Sequence, residues 1–373
     1  MTAGRSPLKI GLVGCGEVSR FKHLVVLRNV AGIEVVALAD IDAGRLRSVG
    51  EQFGITSRYP DIAGLLEHSP LDGIAVCVPA HSHAPVAMAV LRAGKHLFVE
   101  KPLCLSLNEA DQLRNAAAAS PGKVTVGFHM RFHRMIRAAH RMIRSGALGV
   151  IESIRTVWNS PRITHQNPEW RFRREHGGGV LVEIAVHCFD LWRFLLDSEV
   201  SEIYAASRHG MRDDESLAVT GKMENGMLAS GLFSETTPHE IEVEICGTAG
   251  RIRLGCLRFD GFQFLAAGAA PGQPAERLRH IRDFIRELPS GLLSMRRGGD
   301  YFDSYRAQWV EFRNAIRGNG TGGATIKDGR RSLEIVLAAA ESANTGLPIQ
   351  ISDAPSVLHP AVRTGTSAAL FPA

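Results

Sequence analysis

Three stretches of the chain hold residues whose types and spacing could do chemistry. In the first, Gly14-Cys15-Gly16-Glu17-Val18-Ser19 follows an apolar run of strand length at 8–13. Gly14 permits a tight strand-to-helix turn, and Gly16 lets backbone amides approach a pyrophosphate at a helix N-terminus. Small Ser19 stands where a third Gly or Ala is usual. Asp40 lies 21 residues past Ser19 (40 minus 19) at the end of the next apolar run. A carboxylate there can accept hydrogen bonds from an adenosine ribose and repels a 2′-phosphate, so the pattern predicts NAD, with NADP disfavoured. The plain alternative is a glycine turn beside a solvated aspartate.

The second stretch is Glu100-Lys101-Pro102, directly after the run 96–99. In isolation the tripeptide says little, and its lysine could be a surface residue on a loop. Here it stands behind the glycine turn, Asp40, and Pro79 after a third run. That order makes Lys101 a candidate catalytic group, with Glu17, Val18, Pro79, His83 and Glu100 as candidate cofactor contacts. The third stretch begins at Gly177-Gly178-Gly179 and carries Glu183, His187 and Asp190 among apolar neighbours. In a helix these three sit at i, i+4 and i+7 and share one face. Such a face could do acid/base chemistry or hold a metal, or His187 could be a satisfied core histidine. No second cluster and no Cys or His motif supports the metal, so none is expected.

The elements needed to position these groups follow from the pattern. Strand-like runs at 8–13, 34–39, 73–78, 96–99 and 124–128 alternate with helical stretches, including one at 106–119 opened by a Ser106/Glu109 capping box. Continuously apolar strands alternating with helices predict an α/β, doubly wound parallel sheet over residues 1–129. Beyond it the rhythm changes. A basic helix at 131–145 carries Arg134, Arg137, Arg141 and Arg144, whose simplest reading is a solvated face. Alternating strands at 150–158, 202–208, 217–223, 227–233, 240–246 and 251–254 predict an α+β domain over 130–351 with a mainly antiparallel sheet. Residues 266–300 look like an insertion with one helix, and 352–373 like a flexible or docked tail.

Composition bounds the function classes. A chain of 373 residues, 45% apolar and 22% charged, is an ordinary globular protein of two domains. The net charge of +5 is spread rather than striped, which argues against a nucleic-acid partner. The six cysteines form no Cys-x-x-Cys pair, and no apolar stretch approaches a membrane span, so a reduced cytoplasmic protein is expected.

With these pieces in view the chain resembles the Gfo/Idh/MocA oxidoreductases over about residues 8–351. The resemblance rests on the glycine turn, Asp40, Pro79 with His83, Ala93-Gly94-Lys95-His96 leading into Glu100-Lys101-Pro102, Arg131-Phe132, Trp170-Arg171, the triple glycine with His187 and Asp190, and a last helix from Asp328 through Glu341-Ser342. It implies a Rossmann domain followed by a large open-faced sheet through which dimers or tetramers form. It implies hydride transfer between NAD and a secondary alcohol or ketone of a sugar, cyclitol or related polyol, with Lys101 and His187 managing the proton. A lysine beside a cationic nicotinamide in a partly dry pocket releases its proton more readily, which suits that role. Glu100 would position cofactor or lysine, and Pro102 would follow a cis peptide. Arg131 and Trp170 would wall the substrate. Glu183 stands where the family usually has Asp, which leaves its role open, and Ala185 stands for a common Gly. Some relatives are NAD-dependent redox-elimination glycosidases, and a cofactor-sensing regulator shares the fold; retention of Lys101 and His187 argues against the regulator.

Overall fold

The computed structural model describes residues 6–67, 71–161, 168–210, 212–268 and 274–351. The expected tail at 352–373 lies outside the described residues, as do 269–273 within the expected insertion.

The first sheet is parallel and comprises β1 (Leu8–Val13), β2 (Ile33–Ala39), β3 (Ser57–Tyr59), β4 (Gly73–Val76), β5 (His96–Val99) and β6 (Val124–Val126), in the order β3-β2-β1-β4-β5-β6. The central strands are buried on both faces, which is why they read as unbroken apolar runs. Their helices are α1 (Leu24–Leu27), α2 (Ala43–Phe53), α3 (Ile62–Glu67), α4 (His83–Arg92) and α5 (Leu107–Ala119). Local chemistry sets the boundaries. Asp42 caps α2 by accepting from the Arg45 amide, Ser106 and Glu109 close the capping box of α5, and Gly94 takes a left-handed φ of 66° after α4. Two details were not legible: β3 is only three residues long, and a π turn at Ser19–His23 precedes α1.

The second sheet is mixed. After α6 (Arg134–Arg144) come β7 (Ile151–Asn159), α7 (Val186–Leu196), β8 (Val200–Arg208), β9 (Ser216–Met223), β10 (Leu228–Ser234), β11 (Glu240–Gly247), β12 (Gly250–Gly255) and β13 (Phe262–Ala266). The helices α8 (Pro274–Arg296), α9 (Gly299–Ile316) and α10 (Ile326–Thr345) follow, then β14 (Ile349–Gln350). The order is β13-β12-β11-β7-β10-β9-β8-β14, antiparallel throughout except where β7 and β10 run parallel. That pair is parallel because the chain leaves β7, crosses over through α7 and returns by the β8-β9-β10 meander. Gly226, with φ 87°, makes the β9-β10 turn.

Helices α7 and α10 cover one face of this sheet, and α10 also packs on α5 and β6 of the first. Helix α9 reaches back to α1 and to the segment His129–Phe132. These two returns hold the strand ends of the first sheet against the start of α7, and the candidate site lies there. No helix among the described residues is long and apolar enough to cross a membrane.

Candidate active site

The crevice opens where strand order reverses between β1 and β4, above the carboxyl ends of the strands. A methyl group on Gly14, whose φ is 91°, would stand 2.6 Å from the Cys77 carbonyl oxygen, so this turn accepts only glycine. Gly16 differs. A methyl group there would meet nothing within 4 Å, so its lack of a side chain serves no packing need of the protein and leaves open the space a pyrophosphate requires. Ser19 is buried and its hydroxyl donates to the Gly14 carbonyl, which explains a serine in place of the third glycine.

Asp40 is held by the turn it faces. Its carboxylate accepts from the amides of Cys15 at 2.6 Å and Asp42 at 2.8 Å, while Arg45 stands 3.8 Å away. Each oxygen keeps lone pairs for a ribose diol. Gly14, Gly16, Glu17, Val18, Asp40 and Pro79 line a groove of about 660 Å³. The residues present therefore fit a dinucleotide.

A second chamber of about 520 Å³ shares Glu17, Val18, Pro79, Trp170 and Arg171 with the groove and continues it past the end of β5. Its walls bring together Glu100, Lys101, Glu183 and His187, from segments that are far apart in sequence. The Lys101–Pro102 peptide is cis. Lys101 Nζ donates to the Glu183 carbonyl oxygen at 2.6 Å, and its amide donates to Glu100 Oε2 at 3.0 Å. His83 also lines the chamber, and its ring bridges the Pro102 and Val78 carbonyls at 2.6 and 2.9 Å. It thus fastens the lysine turn to the end of β4. Burial lowers its pKa, partly offset by these two carbonyls.

A π turn at Leu181–Ala185 leads into α7, in place of a regular helix running through Glu183. Glu183 and His187 reach the chamber, whereas Asp190 turns away into a buried bidentate pair with Arg131 at 2.6 and 2.7 Å. Arg131 also contacts Asp328 at 3.0 Å. Arg131, expected at the substrate wall, is not among the residues lining the chamber; its guanidinium instead holds α7 to α10. For the same reason Glu183, His187 and Asp190 do not assemble around a common point, and no group of three potential metal ligands occurs among the described residues. Trp170 lines both groove and chamber.

The longer Glu183 side chain meets guanidinium groups. Arg171 Nε lies 3.6 Å and Arg212 Nη1 3.8 Å from its Oε1, and Arg212 is itself bound to Glu235 at 2.5 Å in full burial. His187 is packed among rings, stacked on Trp158 at 5.0 Å and perpendicular to His129 at 5.2 Å. His129 has an assignable proton. Ser304 donates its hydroxyl to the Tyr301 carbonyl, so it must accept from His129 Nδ1 at 2.9 Å, leaving Nε2 unprotonated. Burial first, then the charge of Lys101, holds the His129 pKa well below the ordinary histidine range, which agrees with a neutral ring.

Several site residues were given no role from the sequence. Arg171 bridges Glu17 at 3.0 Å across the cleft, and Tyr301 and Tyr305 of α9 line the chamber. His23 binds Glu100 from below at 2.8 Å. The four-residue spacing of Tyr301 and Tyr305 was visible, but nothing local ties α9 to strands that lie about two hundred residues earlier.

Comparison with known proteins agrees with this geometry. Residues 8–128 match the profile described as an oxidoreductase family with an NAD-binding Rossmann fold, and residues 136–253 match the GFO/IDH/MocA C-terminal domain. The chain is 24% identical over 356 residues to scyllo-inositol 2-dehydrogenase (NAD(+)) of Bacillus subtilis (strain 168), covering 92% of this chain and 96% of that one. It is 27% identical over 354 residues to 1,5-anhydro-D-fructose reductase of Ensifer adhaerens, covering 91% and 98%. A levoglucosan dehydrogenase in complex with NADH has the same fold, with a TM-score of 0.79 at 21% identity, over 93% of this chain and 100% of that one. The glycine turn with Asp40 beside it, the lysine turn at the end of β5, and both profile matches lead to one conclusion: the chain belongs to the Gfo/Idh/MocA family of NAD-binding oxidoreductases.

Proposed function

We propose that the protein interconverts a secondary alcohol and the matching ketone of a sugar, cyclitol or related polyol. The observation that carries this reading is the position of Lys101 and His187 on the walls of one chamber that continues the cofactor groove. Bound nicotinamide supplies the hydride acceptor or donor. In the oxidative direction Lys101 takes the hydroxyl proton as hydride leaves the carbon, and in reverse its ammonium protonates the forming alkoxide. His187, immobilised by its ring neighbours, hydrogen-bonds the same hydroxyl and orients it. Glu183, between Arg171 and Arg212, keeps the start of α7 in place, so its carboxylate is a positioning group. Trp170, Tyr301 and Tyr305 offer apolar faces for the C–H side of a sugar ring. Support for the substrate class comes from the relatives, whose names specify an inositol and an anhydrosugar.

The chain further assembles with copies of itself through the open face of the second sheet. Its six free cysteines, five of them buried, suit a reducing cytoplasmic setting. A panel of sugars and cyclitols incubated with NAD, read by NADH formation and product identification, tests the activity. Net NADH with a ketone product supports it; substrate cleavage without net NADH would assign the chain to redox elimination instead.

A further inference from the structure

Glu100 is a buried carboxylate at the carboxyl end of β5, and it lines the chamber into which the nicotinamide half of the dinucleotide must extend. Four features fix it there. His23 Nε2 contacts one carboxylate oxygen at 2.8 Å, and the Lys101 amide donates to the other at 3.0 Å. Gly127 leaves room, since a methyl group on it would stand 2.9 Å from the Glu100 carboxyl carbon. Behind His23, the Trp309 indole nitrogen lies 3.0 Å from Nδ1.

That last contact decides the charge of the pair. An indole N–H can only donate, so Nδ1 of His23 accepts and the ring proton sits on Nε2, directed at Glu100. Burial pushes the His23 pKa down, while Cys77 and Glu100 pull it up, and the net pull is upward. A second proton on Nδ1 would nevertheless meet the indole N–H head-on, so the imidazole is neutral. Burial pushes the Glu100 pKa up; with His23 neutral, what opposes burial is the hydrogen bonds from His23 and the Lys101 amide together with the Lys101 charge, and since both oxygens accept from N–H donors the carboxyl is ionised. The result is a neutral histidine and an ionised carboxylate, with negative charge uncancelled by His23.

We infer that Glu100, held in place and ionised by the positioning residue His23, biases the bound cofactor toward its oxidised, positively charged nicotinamide. A fixed negative charge beside a nicotinamide attracts the cation of NAD⁺ and gains nothing from neutral NADH. Glu100 is itself buried, so its charge is screened less than one in open water, and a separation of several ångströms still matters. The inference rests on NAD binding and on no choice of substrate.

The test is to measure Kd for NAD⁺ and for NADH by fluorescence and calorimetry on the full chain. Glu100→Gln keeps the shape and one of the two accepted hydrogen bonds but removes the charge, and should raise the ratio Kd(NAD⁺)/Kd(NADH) on the order of tenfold, mainly by weakening NAD⁺. His23→Leu should move the ratio the same way, and His23→Gln, which can still donate to Glu100, should restore most of it. If His23→Leu does not fold, Glu100→Gln decides alone. A ratio within about twofold of the unmutated protein, or an equal weakening of both cofactor forms, would overturn the inference, because a merely structural role predicts the second outcome. A barren substrate screen leaves this measurement untouched, so the two readings fail separately.

Discussion

Lys101 Nζ and the Glu183 carbonyl oxygen lie 2.6 Å apart, joining the end of β5 to the π turn that opens α7. This one bond crosses from the cofactor-binding sheet to the element that carries His187. It holds the lysine against the chamber wall, and it does so through main chain, so the identity of residue 183 matters less than the turn that presents its carbonyl.

Replacing Lys101 should separate binding from chemistry. Lys101→Met is expected to leave NAD affinity nearly intact, because the glycine turn and Asp40 carry that affinity, while turnover falls roughly 10²- to 10⁴-fold. If Lys101 and His187 act on the same proton, the double variant with His187→Ala should fall little below the worse single variant. Steady-state rates on an identified substrate, with cofactor titrations beside them, check both; near-normal turnover in Lys101→Met would move the proton to His187 or a chamber tyrosine.

Cofactor choice should depend on Asp40. Its carboxylate is fixed by the Cys15 and Asp42 amides, so it cannot swing aside for a 2′-phosphate. The unmutated protein is expected to bind NAD more tightly than NADP, and Asp40→Ala to narrow the gap and weaken NAD through a loosened turn. Arg45, 3.8 Å from Asp40, is the group that would otherwise welcome the phosphate. Fluorescence titration with both cofactors is decisive, and tighter NADP binding before mutation refutes the assignment.

Stability should fall with acid through Asp328. Arg131 and the α10 cap hold its pKa down at about 2 against an ordinary 3.8, although burial opposes them. A carboxyl whose folded-state pKa is depressed stabilises the protein above its unfolded value and loses that contribution as pH drops toward its folded value. Asp328→Asn should therefore cost about 2 kcal/mol at pH 7 and progressively less between pH 4 and 2. Urea unfolding of both proteins at neutral and acid pH measures this. A cost that stays constant across the range would mean the loss is packing, not charge.

The open face of the second sheet should be an assembly surface. Register places Leu228, Leu232 and Tyr204 on one side of β10, β9 and β8, exposed to 58%, 58% and 43%, while Ala229 and Phe233 point to the covered side. Light scattering at micromolar concentration is expected to give a dimer or tetramer, and Leu232→Arg to reduce it to a single chain of 40.5 kDa. A monomer before mutation would end this reading.

The sequence by itself determined whatever local rules control. The parallel sheet was legible because buried strands must be apolar throughout, and the glycine turn because Gly14 has no steric alternative. Asp40 and the lysine turn were legible because each lies a short, regular distance from a strand end. Tertiary structure decided what depends on partners remote in the chain. Arg131 looked like a site residue by family resemblance and Asp190 by helical spacing, yet a buried cation takes the nearest buried carboxylates, and the two pair with each other. His23, Tyr305 and Trp309 carry no local signal, because their roles exist only once α9 folds back over the start of the chain. The parallel pairing of β7 with β10 likewise follows from a crossover, which alternation along single strands cannot encode.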